Sequence, residues 1–163
     1  MSFALCVAGG VASVVGAALE LGSIEQKWAF LASGVLFLIG ARIARNWFMV
    51  LLEVIFVAAA IAAFVEDMRV LVGLCFVFFL PTAAIFHGLQ KKGAIAWNTR
   101  QEWIGLSMVV VTAMGVLTSY VPALFAGNAL IGVFNLWRGI NGDRSAWVFV
   151  AVAGIFCALI VRG

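Results

Sequence analysis

The stretch 47–89 constrains the fold more than any other part of the chain. It consists of two apolar runs joined by a polar break at 66–69. Each run has about 19–20 residues, and a helix of that length, rising about 1.5 Å per residue, can cross a hydrocarbon layer of ~30 Å. The sequence therefore predicts a transmembrane helical hairpin, with the start of its first helix and the end of its second at the same membrane face.

The composition extends this prediction to the whole chain. Hydrophobic residues make up 66% of the 163 residues and charged residues 10%, whereas a soluble domain is about half apolar and a quarter charged. We therefore predict an all-α fold, a polytopic transmembrane helix bundle of six to seven short spans in hairpin repeats, as a single integral membrane domain over 1–163. The predicted spans are about 3–19, 28–43, 47–65, 70–89, 103–120, 122–138 and 146–161.

Three segments share one plan: a helix, a tight outer turn, a second helix and a basic inner turn. They cover about 3–45, 47–92 and 103–144, and the second and third open on Trp47 and Trp103. Such self-similarity is the pattern of an internal repeat. The sequence therefore predicts a repeated two-helix unit.

Small residues at helical spacing predict close helix contacts. Gly9 and Gly16 lie in the first span, and Gly154 and Ala158 form a small-xxx-small pair in the last. Because small residues let helix backbones approach one another in lipid, we expect Gly9 and Gly16, or Gly154, to lie at helix–helix contacts.

The basic residues predict an orientation. With the N-terminus in the cytoplasm, most basic residues fall on the inner side, as the positive-inside rule requires. We therefore predict an integral protein of the bacterial cytoplasmic (inner) membrane with a cytoplasmic N-terminus. Its candidate inner-face anchors are Arg42, Arg45, Lys91, Lys92, Arg100 and Arg138.

Motifs of self-contained enzymes are absent from the sequence. It contains one histidine, no C-x-x-C, no G-x-G-x-x-G, no P-loop and no H-E-x-x-H. We therefore expect no catalytic residues, cofactor or metal, and the small, scattered net charge of +3 predicts no nucleic-acid partner. The expected partners are the lipid bilayer and either further copies of the chain or other membrane subunits.

Three polar residues within apolar runs form the candidate intramembrane site: Glu53, His87 and Asn128. A charged carboxylate in hydrocarbon costs about 2.5–3.5 kcal/mol or more, so it usually faces a partner or water. The hairpin would bring Glu53 and His87 to a similar depth, where they could pair or act as a proton relay. Alternatively Glu53 is neutral and hydrogen-bonded elsewhere, or it is reached by Arg42 or Arg45.

Asn128 has two interpretations of its own. It could join neighbouring helices by a hydrogen bond, since an amide in hydrocarbon seeks a partner. It could instead line a polar permeation path. Asn135, two turns further along the same predicted span, has the same alternatives.

The hairpin plan with Trp47 and Trp103 near helix starts resembles the HdeD-like family of acid-resistance membrane proteins. The resemblance covers 3–144 and implies a small non-enzymatic inner-membrane protein linked to acid or envelope stress. The sequence departs from that plan in two ways: only Pro122 marks an outer turn, and the run 146–161 has no place among six spans.

The stretch 47–120 also resembles the DoxX-like family, with Glu53 in one span, Arg69 at the next turn and His87 ending the following helix. Because DoxX-like proteins often lie beside redox enzymes, this resemblance implies an accessory or assembly subunit of a respiratory or redox membrane complex. A third function, a small transporter or proton conductor, is indicated by Glu53, His87 and Asn128 together with the repeats.

Overall fold

The computed structural model describes residues 3–67, 70, 84, 87–88, 90–91, 100–142 and 146–162. These residues form six complete helices and no strand, which confirms the predicted all-α class for the described part of the chain. The helices are α1 (Phe3–Ala18), α2 (Ile24–Ile43), α3 (Trp47–Ala62), α4 (Arg100–Thr118), α5 (Val121–Ile140) and α6 (Ala146–Arg162).

Helix α2 begins at Ile24, four residues before the predicted span, because Ser23 caps it. The Ser23 hydroxyl accepts a hydrogen bond from the Gln26 backbone N–H (3.2 Å), and the Gln26 Oε1 accepts one from the Gly22 N–H (2.7 Å). These bonds satisfy backbone donors that a helix start leaves unpaired. The polar residues predicted as a loop therefore form the first turn of the helix.

Helix α3 ends at Ala62, before the predicted 65. The backbone N–H groups of Phe64 and Val65 bond to the carbonyls of Ile61 and Ala62, three residues back, at 3.1 and 3.0 Å. These bonds, which span three residues instead of the four of an α-helix, provide donors for the last carbonyl groups of α3 and end the helix. Most of the predicted span 70–89 lies outside the described residues, and those described between 70 and 91 are helical.

Two tight turns of the same geometry join α2 to α3 and α4 to α5. Each contains one residue in the left-handed conformation, Arg45 (φ +54°) and Ser119 (φ +52°). In each turn, the backbone N–H of the following residue donates to the carbonyl five residues earlier. These bonds run from Asn46 to Ala41 (3.0 Å) and from Tyr120 to Gly115 (3.2 Å). This pattern ends one helix and reverses the chain.

The six helices form a closed ring. Each packs against the next in chain order, and α6 packs against α1. At two of these contacts the helices run in the same direction: Gly105, near the start of α4, faces Phe48, near the start of α3, and Gly10 of α1 faces Val148 and Val152 of α6. The ring therefore consists of two halves, α1–α3 and α4–α6, which meet at two parallel contacts.

The two halves repeat the same contacts. Gly105 of the second half meets Phe48 and Leu52 of the first, and Gly10 of the first half meets Val148 and Val152 of the second. The valines lie 100 residues after Phe48 and Leu52, at matching positions of α6 and α3. These contacts relate the described helices in threes, and the second helix of the predicted two-helix unit 47–92 lies mostly outside the described residues.

Every contact of the ring contains a glycine at which a Cβ atom would lie close to the neighbouring helix. The closest atoms lie 2.3–3.3 Å from that position, at Gly9, Gly10, Gly16, Gly34, Gly105, Gly115, Gly127, Gly132 and Gly139. The prediction is confirmed for Gly9 and Gly16. The alternative, Gly154, is exposed, and no atom lies within 4 Å of its added Cβ.

The outer surface of the ring is apolar. Ile140, Val133 and Val11 are 71%, 67% and 57% exposed. Two described helices, Ile24–Ile43 and Val121–Ile140, are long and apolar enough to cross a membrane, and the other four have apolar stretches of 10–17 residues. Length and composition therefore provide weak evidence for membrane association.

The glycine contacts predict a pair of substitutions with opposite effects on stability. Gly115→Ala places a Cβ 2.6 Å from the Leu124 backbone nitrogen, so we expect it to lower the free energy of unfolding by about 1–3 kcal/mol. The matched change Gly154→Ala meets no atom and should raise it by about 0.5–1 kcal/mol through helix propensity. Thermal melting of the purified variants in detergent measures both, and equal effects would contradict the contact assignment.

Candidate functional site

A cavity of about 90 Å³ lies inside the ring, and all six helices line it. Its walls are mainly apolar and include six aromatic rings: Phe30, Phe37, Phe56, Phe134, Phe149 and Phe156. Seven polar or charged residues also reach it: Ser13, Ser33, Glu53, Thr112, Asn128, Asn135 and Arg138. A cavity of this size has room for several water molecules or for part of a small organic molecule.

Two ionisable residues of the described chain line the cavity, Glu53 and Arg138, and Glu53 lies nearer the middle of its helix. It lies in the second turn of α3, is only 9% exposed and reaches the cavity. It makes no hydrogen bond or ion pair with any other residue that the structure describes. Because no fully buried side-chain oxygen among the described residues lacks a hydrogen bond, the carboxyl group of Glu53 is open to the cavity rather than enclosed in the protein.

The predicted pair of Glu53 and His87 is absent. The structure describes both residues, and His87 is exposed whereas Glu53 is buried. Neither makes an ion pair with the other. The rival partners do not reach Glu53 either: the Arg42 guanidinium lies over the Trp47 ring, 4.7 Å from its centroid, and Arg45 is exposed in the turn before α3.

Asn128 lies in the cavity wall, but it does not join two helices through its amide nitrogen. Its Nδ2 donates to the Leu124 carbonyl one turn earlier in α5 (2.9 Å), and Asn135 bonds the Ile131 carbonyl in the same way (2.9 Å). The prediction of a hydrogen bond to a neighbouring helix is therefore wrong for both amide groups. Because a backbone carbonyl requires a donor, the amide oxygen of Asn128 must be directed away from it.

Hydroxyl groups on three other helices add to the polar part of the cavity. The Thr112 hydroxyl donates to the Met108 carbonyl in α4 (2.8 Å), and the Ser33 hydroxyl of α2 donates to the Gly9 carbonyl of α1 (2.9 Å). Ser13 and Ser33 are joined by a bond of 2.8 Å. Since the Ser33 proton is directed to Gly9, Ser13 is the donor in that bond.

The predicted anchors occupy different places. Arg138 lines the cavity near the end of α5, donates to the Asn135 Oδ1 (3.2 Å) and lies over the Phe134 ring. Arg42 and Arg45 lie at that same end of the ring, Arg100 is the first residue of α4 there, and Lys91 is exposed. Lys92 lies outside the described residues.

Thr112, Ser13 and Ser33 were not predicted as site residues. Single hydroxyls are common in transmembrane helices, because they bond to their own backbone. Only the closure of the ring brings these three together with Glu53 and Asn128. Within the described ranges, no group of three or more His, Cys, Asp or Glu residues could hold a metal ion.

Two buried polar residues should respond in opposite ways to the same apolar replacement. Gln26 is 5% exposed, and its Nε2 donates to the Gly16 carbonyl (3.0 Å) while its Oε1 accepts from Gly22. We expect Gln26→Leu to lower stability by about 1–3 kcal/mol, because it leaves buried backbone groups unpaired. Glu53→Leu should raise stability by about 1–3 kcal/mol, because it removes a buried group without a partner. Melting in detergent tests both, and a lower midpoint for Glu53→Leu would contradict our description of its surroundings.

No family model, curated protein or solved structure matches the chain. Its function is therefore inferred from the cavity and from the residues that line it.

Proposed function

We propose that the chain is a polytopic membrane protein that binds a small solute in the cavity inside its helical ring and carries it across the membrane. The observation that supports this most is Glu53, a buried carboxyl group that faces the cavity without a partner among the described residues. Ionisable residues within membrane helices commonly mark pathways for ions or substrates.

The distribution of side chains over the ring supports a membrane environment. Exposed apolar residues such as Val11, Val133 and Ile155 lie along the outside of the helices. Monomeric soluble proteins rarely expose continuous apolar surfaces of this kind, and large ones usually contact a membrane or a partner. A lipid environment gives this surface an apolar partner along its whole length.

Aromatic residues at both ends of the ring support the same environment. Trp28 and Tyr120 are 59% and 60% exposed at the end where α1 finishes, and Trp137 and Trp147 are 46% and 48% exposed at the opposite end. Trp and Tyr are enriched at both membrane–water interfaces, because their rings are apolar and carry a polar group. The two aromatic belts mark the proposed membrane boundaries.

The helices are short for a bilayer, and the chain compensates at their ends. A 16-residue helix such as α3 spans about 24 Å, less than the typical ~30 Å. Short spans are tolerated by local thinning of the bilayer and by long side chains that reach the headgroups. Arg42, which lies over Trp47, can extend the polar boundary of α3 in this way.

Transport is supported by the arrangement of the two halves. Parallel repeats related by an axis along the membrane normal occur in several secondary transporters, with the substrate site near the bilayer midplane between the repeats. Here Glu53 of the first half and Thr112 and Asn128 of the second line one cavity. The cavity thus lies where such a plan places a substrate.

The stress-protection function implied by the HdeD-like resemblance and the accessory subunit implied by the DoxX-like resemblance stay predictions. The HdeD-like resemblance does not involve Glu53, and the DoxX-like one involves it together with His87, which is exposed whereas Glu53 is buried. A carrier of a small solute uses the Glu53 carboxyl group directly, and this is why we prefer it.

Cysteine accessibility tests the proposal without knowledge of the substrate. In a background without native cysteines, Thr112→Cys in membranes should react with a water-soluble, membrane-impermeant thiosulfonate, because the cavity must open to water during transport. The matched variant Val133→Cys, on the exposed outer surface of α5, should not react, because lipid covers it. Labelling is measured by mass spectrometry.

The reverse result would overturn the proposal. A chain that is not in a membrane would expose Val133→Cys to the reagent and protect Thr112→Cys inside the ring. If neither residue reacts, the cavity does not open to water, and transport through it is excluded.

The orientation gives a separate prediction. Basic residues Arg42, Arg45 and Arg138 lie at the end of the ring where α1 begins, and acidic residues Glu20 and Glu66 lie at the other. Under the positive-inside rule, an impermeant reagent should label Asn141→Cys only from the cytoplasmic side and Glu66→Cys only from outside. Exchanged labelling would reverse the orientation.

A further inference from the structure

We propose that the solute bound in the cavity is a small organic amine in its ammonium form, with an apolar body. This inference rests on the proposed function, because it names the ligand class of the same cavity. It follows from the hydrogen-bonding capacity that the lining residues leave unused, from the aromatic walls and from the position of Glu53.

Most hydrogen-bond donors of the polar lining residues already bond to backbone carbonyls. The hydroxyl protons of Thr112 and Ser33 and an amide N–H of Asn128 are directed to the carbonyls of Met108, Gly9 and Leu124. Each bond satisfies a donor and leaves oxygen lone pairs free. The middle of the cavity therefore presents acceptors more than donors.

Glu53 shares the cavity with acceptors on two other helices. Its two carboxyl oxygens belong to α3, the hydroxyl oxygen of Thr112 to α4 and the amide oxygen of Asn128 to α5. An ammonium group has three donors and no acceptor, so it matches this set, and Glu53 supplies the counter-charge. The second N–H of Asn128 is a donor that such a ligand would leave unused.

The other charged group of the described lining, Arg138, does not compete for this position. It lies in the last turn of α5, where its guanidinium donates to the Asn135 Oδ1 and lies 5.9 Å from the centroid of the Phe134 ring. Asn135 thereby uses its oxygen as an acceptor for Arg138. Arg138, in the last turn of α5, and Glu53, in the second turn of α3, therefore belong to two different regions of the lining.

The aromatic walls favour an organic cation over a bare metal ion. Phe30 stacks on Phe156 with centroids 5.9 Å apart, and Phe37 lies 5.0 Å from Phe149. Aromatic residues commonly take part in the recognition of organic ammonium groups. The same rings provide an apolar surface for the body of the ligand.

Three probes with the same apolar body separate the possibilities: 2-phenylethylamine, 2-phenylethanol and 3-phenylpropionate. Binding to the purified full chain in detergent is measured by calorimetry and by the shift of the melting midpoint. We expect the amine to bind at least about tenfold more tightly than the alcohol, because charge-assisted hydrogen bonds are stronger than neutral ones. The carboxylate should not bind above background.

Variants assign the preference to the cavity. Glu53→Gln should remove the difference between the amine and the alcohol, while Glu25→Gln, an exposed glutamate in the first turn of α2, should keep it. Thr112→Val, which is nearly isosteric, should weaken binding of the amine and not of the alcohol. This second variant keeps the test valid if Glu53→Gln does not fold.

The outcomes separate this inference from the proposed function. Equal binding of amine and alcohol, tighter binding of the carboxylate, or a Glu53-dependent shift with sodium chloride alone would each overturn the amine assignment. If Thr112→Cys is nevertheless labelled in membranes while Val133→Cys is not, the carrier proposal stands and only the ligand class is wrong. Amine binding that Glu25→Gln abolishes and Glu53→Gln leaves intact would place the ligand outside the cavity and overturn the inference.

Discussion

Tight packing against glycine is the constraint on which the rest of this structure depends. Each neighbouring pair of described helices meets at a glycine, where a side chain of the adjacent helix fills the space that a Cβ would take. At Gly115 and Gly127 backbone atoms of the adjacent helix also lie close. Such packing lets many weak dispersion contacts form along each pair of helices.

The two halves are equivalent in packing and different in chemistry. Phe56 and Phe156 occupy matching positions in α3 and α6, and both line the cavity. At the corresponding positions 53 and 153 the first half has a glutamate and the second an alanine. The described helices of the two halves therefore make similar contacts, but only the first half places a carboxyl group in the cavity wall at this position. Selection for stability alone would not favour that carboxyl group, because buried polar groups without partners reduce stability.

The sequence predicted the helices better than their arrangement. Apolar runs and polar breaks located all six described helices, because hydropathy is a local property of the chain. The start of α2 was missed although Ser23 and Gln26 have the spacing of a capping box, since the polar residues Glu25 and Lys27 resembled a loop. Glu53 and Asn128 were predicted as site residues because a polar group in an apolar run is conspicuous.

What failed depended on contacts between distant parts of the chain. The pairing of Glu53 and His87, one of the alternatives left open, assumed that two residues at similar depth also face one another, and depth alone does not determine which side chains do. The spacing of Gly154 suggested a helix contact, but Gly154 is exposed on the outer side of α6. Thr112 and Ser13 could join the site only once α1 and α4 were known to enclose the same cavity.

The parallel contacts between the halves differ from the contacts within each half. Bonds such as that from Ser33 to Gly9 and that from Gln26 to Gly16 lie inside one half. Across the two parallel seams, the described contacts at Gly10 and Gly105 involve apolar side chains. Apolar contacts of this kind have no directional bonds, so a relative displacement of the two halves along these seams would break none of the hydrogen bonds described within either half.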